Sequence, residues 1–193
     1  MSLDRPGFAD PILDAQRCFR QVLDAMSRPG RIATAGEDLS PPAPLAPATA
    51  AILLTLVDPE TPLWLDSAAE AARDWIAFHC GAPIVADPAR AAFAVSIGAG
   101  LRFDQLNPGS HEEPESSATL ILQLPALGEG VGLTLAGPGI RDRVTLHATG
   151  LPDGLATDWA ANHGRFPCGA DIVMCAGTRL AAMPRSVRIE GVA

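Results

Sequence analysis

The stretch Ala118-Thr119-Leu120-Ile121-Leu122 runs apolar without the period-two alternation of a half-exposed strand. Such a strand is covered on both faces and sits inside a sheet, because neither set of alternate side chains suits water. Downstream, Gly132 to Ala136 and Val144 to Ala148 alternate better and flank a glycine and proline turn, so they are expected as neighbouring antiparallel strands. Further short strands are expected at Leu63 to Leu65, Ile84 to Ala86, Ala92 to Ile97, Ile172 to Cys175, Leu180 to Met183 and Val187 to Ile189.

Helical signals are interspersed with these. Asp10 before Pro11 is an N-cap with proline at the first helical position, and Ile12, Ala15, Cys18, Phe19, Val22, Leu23 and Met26 then form an apolar face that Pro29 and Gly30 terminate. Asp14, Arg17, Arg20, Gln21 and Asp24 are expected on the outer face. Four prolines within Ser40 to Pro47 impose an extended connection. Ala48 to Val57 is too apolar for a surface helix and reads as a buried one ending before Asp58-Pro59. Ala68 to His79 and Leu155 to His163 complete the helices, with Trp75 and Trp159 inward. No internal repeat is present. The expected fold is α/β, a three-layer sandwich around a central mixed β-sheet.

The chain has 193 residues, which favours a single domain spanning 1–193, with a flexible arm over about residues 1–9. Glycine and proline at 18 each stay below the share at which low complexity becomes the default, about 25–30%. The longest apolar stretch, Ala48 to Val57, is half of the roughly 20 residues a bilayer span requires, and no export signal is visible, so a cytoplasmic protein without a membrane partner is expected. A formal charge of −8 argues against a nucleic-acid partner, since duplex affinity comes from basic residues displacing counterions. With 48% apolar and only 19% charged residues, some apolar surface is expected to face another chain.

All 14 basic residues are arginine, and tyrosine is absent. Without lysine there is no Schiff base to anchor pyridoxal phosphate, no aldolase-type imine and no Walker A lysine, so no cofactor is expected. The four cysteines, at 18, 80, 168 and 175, include no C-x-x-C pair. The spacing of His163, Cys168 and Cys175 matches none of the usual zinc patterns, so no metal is expected and the thiols read as small core residues.

Several local phrases occur in order: Asp14-Ala-Gln-Arg17 with Phe19-Arg20, Ala25-Met-Ser-Arg-Pro-Gly30, Leu53-Leu-Thr-Leu56 with Thr61-Pro-Leu-Trp-Leu65, and Phe78-His-Cys-Gly-Ala-Pro83. Pro114-Glu115 before Ala118 to Gln123, Gly137-Pro-Gly-Ile140, Phe166-Pro167 with Gly169 and Asp171, and Pro184-Arg185 follow. Together, over about residues 10–189, they resemble the H-subunit family of the bacterial carbon-phosphorus lyase system. The resemblance implies a fold like that of pyridoxal-phosphate-dependent transferases without the cofactor, a homodimer, and a larger complex with subunits G, I and J. It further implies that the complex takes a phosphonate and ATP, displaces adenine and makes a ribose 1-phosphonate 5-triphosphate, with the adenine-displacing chemistry on subunit I. Two positions depart from the family's habit. Ser186-Val187 stands where two threonines usually follow the proline and arginine, and Ala170 replaces a valine or isoleucine.

No catalytic constellation emerges from the residues. Gly137-Pro-Gly139-Ile140 with Arg141 and Arg143 is the best local candidate for contact with a phosphate, since glycines admit close backbone approach and arginine forks match anionic oxygens; the alternative is a plain turn. Arg28-Pro-Gly-Arg31 reads either as an anion clamp or as compensation of a helix C-terminus. Among the four histidines, His163, near Arg165 and Phe166-Pro167, is the first to test. His111 with Glu112, Glu113 and Glu115 could hold a hard cation or form a solvated loop, and Asp171 could serve as a base or bond backbone N–H groups. The expected ligand-binding set is Gly137, Gly139, Arg141, Arg143 and His163, for a phosphonate or nucleotide ligand. Two functions compete: an accessory subunit of the lyase complex with no activity alone, or a cofactor-free enzyme or binding module using the arginines near Gly137.

Overall fold

Thr119–Gln123 (β4) pairs in parallel with Phe93–Ser96 (β3) on one side and Asp171–Ala176 (β7) on the other. The computed structural model that shows this describes residues 5–97 and 102–193. Leu120 and Leu122 face one core and Ile121 the other, all nearly or fully buried, which is why no alternation is visible in this strand. Leu63–Leu65 (β2) extends the sheet in parallel beyond β3, while Arg179–Met183 (β8) returns antiparallel to β7 and Ala33–Thr34 (β1) pairs antiparallel with β8. The six strands run in the order β1-β8-β7-β4-β3-β2. The fold is therefore α/β with a mixed central sheet.

Three helices cover the face bearing Ile121. Pro11–Ser27 (α1) is capped by Asp10, whose carboxylate accepts from the N–H groups of Ile12 and Leu13, as the Asp-Pro signal requires. Pro47–Leu56 (α2) has six consecutive buried residues, Ala48 to Leu53, and packs on α1 and on Arg73–Cys80 (α3). The opposite face is covered by a second sheet in which Ala126–Ala136 (β5) lies between Val144–Thr149 (β6) and Arg188–Val192 (β9), all antiparallel. Leu155–His163 (α4) joins that layer and places Trp159, fully buried, against Phe103. Trp75 is likewise fully buried. Among the described residues no helix is long and apolar enough to cross a membrane.

The differences from expectation are local. The segment 84–86 is no strand: only a single bridge, Leu63 to Ile84, forms there. The helix expected from Ala68 begins instead with a 3-10 turn over Glu70–Ala72, with the Asp66 carboxylate accepting from Ala69 N–H. β5 starts at Ala126 rather than Gly132, with a register shift between Leu127 and Val131. Of the apolar face of α1, Cys18 and Val22 are buried with Ala25, but Ile12, Phe19 and Leu23 are 81%, 45% and 51% exposed. Seven apolar positions span a wider arc than α2 and the sheet can cover, and the surplus faces outward. Residues 1–4 of the expected N-terminal arm lie outside the described residues. The Arg5 carbonyl accepts a hydrogen bond from Trp75 Nε1 at 2.8 Å, and Phe8 packs on the helical core.

All four cysteines are buried and free. Burial pushes the thiols of Cys80 and Cys175 up to about 12, and it raises that of Cys18. In a chain without lysine or tyrosine, thiols are the only side chains that titrate between about pH 9 and the arginine range. The unfolded chain releases these protons first, so stability, full below about pH 8.5, is expected to fall as pH rises toward 12. Thermal melts across this window should show the decline, with a flatter profile for Cys80→Ala; parallel profiles would contradict the assignment.

Candidate functional site

Two segments that the sequence separates by about 110 residues meet at one end of the molecule. α1 stops at Ser27, and Arg28 closes it by donating its backbone N–H to Asp24. The chain then turns through buried Pro29 and through Gly30, whose φ of +89° excludes most side chains and whose missing Cβ leaves room for Val144. From the other direction comes the hairpin connection between β5 and β6. Its Gly139, at φ +82°, approaches so closely that a Cβ would sit 2.3 Å from the Ser27 carbonyl oxygen.

Between the segments lies an open depression of about 310 Å³, lined by Arg28, Gly30, Arg31, Gly139, Arg141 and Arg143 among others. This volume is at the low end for small-molecule sites, about 300–1,000 Å³. Asp24 pairs with both Arg28 and Arg31, the latter at 2.7 Å, so one carboxylate serves two guanidinium groups. Arg143 meets Glu190 at 2.6 Å, and Arg141 has no ion-pair partner among the described residues. Against Asp24, Glu190 and Asp142, the four arginines leave a positive surplus within a chain of charge −8.

The five residues expected to bind a ligand are thus divided. Gly139, Arg141 and Arg143 line the depression, while Gly137 lies behind it against Ser186 and Val187. His163 is elsewhere: its Nδ1–H donates to the Arg185 carbonyl at 2.8 Å. Arg28 and Arg31, read from the sequence either as an anion clamp or as compensation of a helix C-terminus, line the same depression, and only the tertiary structure brings them beside the Gly139 turn.

His163 belongs to a second cluster built on Asp171. The Asp171 carboxylate accepts from Arg185 Nη2 at 2.6 Å and from Arg185 Nε and backbone N–H, while Arg185 Nη1 donates to the Pro114 carbonyl at 2.7 Å. With side chains only 14% and 16% exposed, this pair ties three loops together and leaves Asp171 occupied. Val187, at the position of the missing threonine, is fully buried, and its carbonyl accepts from Trp159 Nε1.

A further cavity, about 260 Å³, lies between α1 and residues 34–39. Asp14, Glu37 and Asp38 outnumber Arg17 there, so it repels anions, and burial raises the Cys18 thiol beside it, keeping it protonated at neutral pH. Among the described residues no group of three or more histidine, cysteine or carboxylate side chains is placed to hold a metal ion.

Comparison with known proteins adds an independent line. The family described as bacterial phosphonate metabolism protein (PhnH) matches residues 6–190. A relative from Rhizobium meliloti (strain 1021), named alpha-D-ribose 1-methylphosphonate 5-triphosphate synthase subunit PhnH, is 41% identical over 187 residues, covering 95% of this chain and 94% of its own length. A relative from Stutzerimonas stutzeri, named putative C-P lyase subunit protein HtxG, is 29% identical over 175 residues, covering 91% and 85%.

Removing Arg185 would leave the Asp171 carboxylate largely buried and uncompensated. Arg185→Ala is expected to cost about 2–4 kcal/mol in urea unfolding, with Asp171→Asn restoring part of the loss in the double variant. A change below about 0.5 kcal/mol, the range of ordinary surface substitutions, would contradict a structural role.

Proposed function

The chain belongs to the PhnH family of bacterial phosphonate metabolism proteins, and from that membership we propose that it works as an accessory subunit of a carbon-phosphorus lyase complex. The complex is the one that makes a ribose 1-phosphonate 5-triphosphate in the breakdown of organic phosphonates, and this subunit has no turnover of its own. The observation that carries the proposal is the 41% identity, over nearly the full length of both chains, to a subunit named for that synthase. In this reading the protein is cytoplasmic, contributes to a transferase assembly, forms a homodimer when isolated and docks with subunits G, I and J. The exposed stripe of Ile12, Phe19 and Leu23 on α1 supports docking, since these apolar side chains stay 81%, 45% and 51% exposed and recur on one helix face. The fold is a transferase-like scaffold stripped of its cofactor; the parallel run β2, β3, β4, β7 and the lack of any lysine are consistent with such an ancestry.

One observation favours a second reading, a cofactor-free enzyme or binding module for a phosphorylated or phosphonate small molecule: the arginine-lined depression beside Gly139. Turnover separates the two. Isolated protein that converted ATP and a phosphonate would overturn the accessory role.

Co-expressed with subunits G, I and J, the chain is expected to elute with them as one species on size exclusion. Phe19→Glu, which adds a charge to the exposed stripe, should weaken that association roughly tenfold or more without lowering the melting temperature. Separate elution of the unaltered chain would overturn the proposal.

A further inference from the structure

We propose that the depression between the end of α1 and the β5–β6 connection is a composite site for an oligophosphate chain, gripped by Arg28 and Arg31 on one side and Arg141 and Arg143 on the other. The choice of a triphosphate as the natural ligand rests on the function proposed above, whereas the anion site itself does not.

Each guanidinium has five N–H donors in a planar fork. Arg28 and Arg31 each direct one terminal nitrogen, Nη1, to the same carboxylate, that of Asp24. Most of their donors remain available while Asp24 holds both side chains at the rim. Arg143 is held in the same way, through Nε to Glu190, leaving both terminal nitrogens free of that contact. Arg141 has no ion pair among the described residues and is free to close on a ligand. The carboxylates therefore steady the arginines without saturating them. A single phosphate is fully matched by two forks; four forks drawn from two opposed segments match a ligand with several phosphoryl groups in a row.

The backbone points the same way. Gly30 and Gly139 let the two segments close to contact distance, bringing four like charges around one small volume. Such crowding costs free energy in the empty protein, and a polyanion relieves it. The negative end of α1, about half an elementary charge, opposes an anion, and the four guanidinium groups gathered beside it outweigh that field. The cavity between α1 and residues 34–39 shows the contrast: there a single arginine, Arg17, faces Asp14, Glu37 and Asp38.

The test is calorimetric titration of the purified full chain at low salt with inorganic tripolyphosphate, pyrophosphate and orthophosphate. Saturable one-site binding is expected, tightest for tripolyphosphate. Arg141→Gln should weaken it about tenfold or more, since a charge-assisted bond contributes roughly 1.5–3 kcal/mol and each 1.4 kcal/mol is tenfold. Arg141→Lys should recover only part, because an ammonium keeps the charge but lacks the fork. Arg17→Gln, at an exposed arginine outside the depression, should change nothing. Absence of saturable binding, equal losses for Arg17→Gln and Arg141→Gln, or equal affinity for all three phosphates would overturn the proposal. Co-elution with the lyase subunits together with no tripolyphosphate binding would sink this inference alone. Tripolyphosphate binding without co-elution would uphold the site and remove only the assignment of a triphosphate from that pathway.

Discussion

Leu120, Ile121 and Leu122 alternate between two apolar cores, and every other element is arranged to keep both covered. A strand exposed to water on either side would forfeit about 1.5–3 kcal/mol for each such side chain. The sheet is therefore roofed on one face by α1, α2 and α3 and on the other by the three-stranded sheet with α4. Parallel pairing on both sides of β4 fits this double cover, because parallel sheets tolerate solvent on neither face.

The candidate site follows from the same constraint. α1 belongs to one cover and the β5–β6 hairpin to the other, so the two would not meet across the sheet. They meet past its edge at β1, where successive residues face both cores, Ile32 the second and Ala33 the first. The turn leading into this edge strand carries Arg28 and Arg31, and the hairpin tip carries Arg141 and Arg143. Glycines at 30 and 139 are the minimal side chains that let those segments touch.

Charge is distributed with the same economy. A chain of net charge −8 without lysine places four of its fourteen guanidiniums around one depression, while the cavity beside Cys18 is predominantly acidic. The Arg185–Asp171 pair does different work, locking the loops at 114, 167 and 185 in a nearly closed setting, with His163 fastened to the same turn. The recognisable sequence phrases thus divide between scaffold and site.

From the sequence alone came the α/β class, the central strand, the capped first helix, the fully buried Trp75 and Trp159, the exclusion of lysine chemistry and the family; each rests on local patterns or on residue types. What local patterns could not reveal depends on contacts between distant segments. The outward turn of Phe19 and Leu23 depends on how much of α1 its neighbours can cover, the short bridge at Ile84 on where the sheet edge ends, and the separation of His163 from Gly139 on the bond that fastens His163 to the Arg185 carbonyl. Above all, Arg28 and Arg141 become neighbours only because two covers of one sheet fold past the same edge, a proximity that no spacing along the chain encodes.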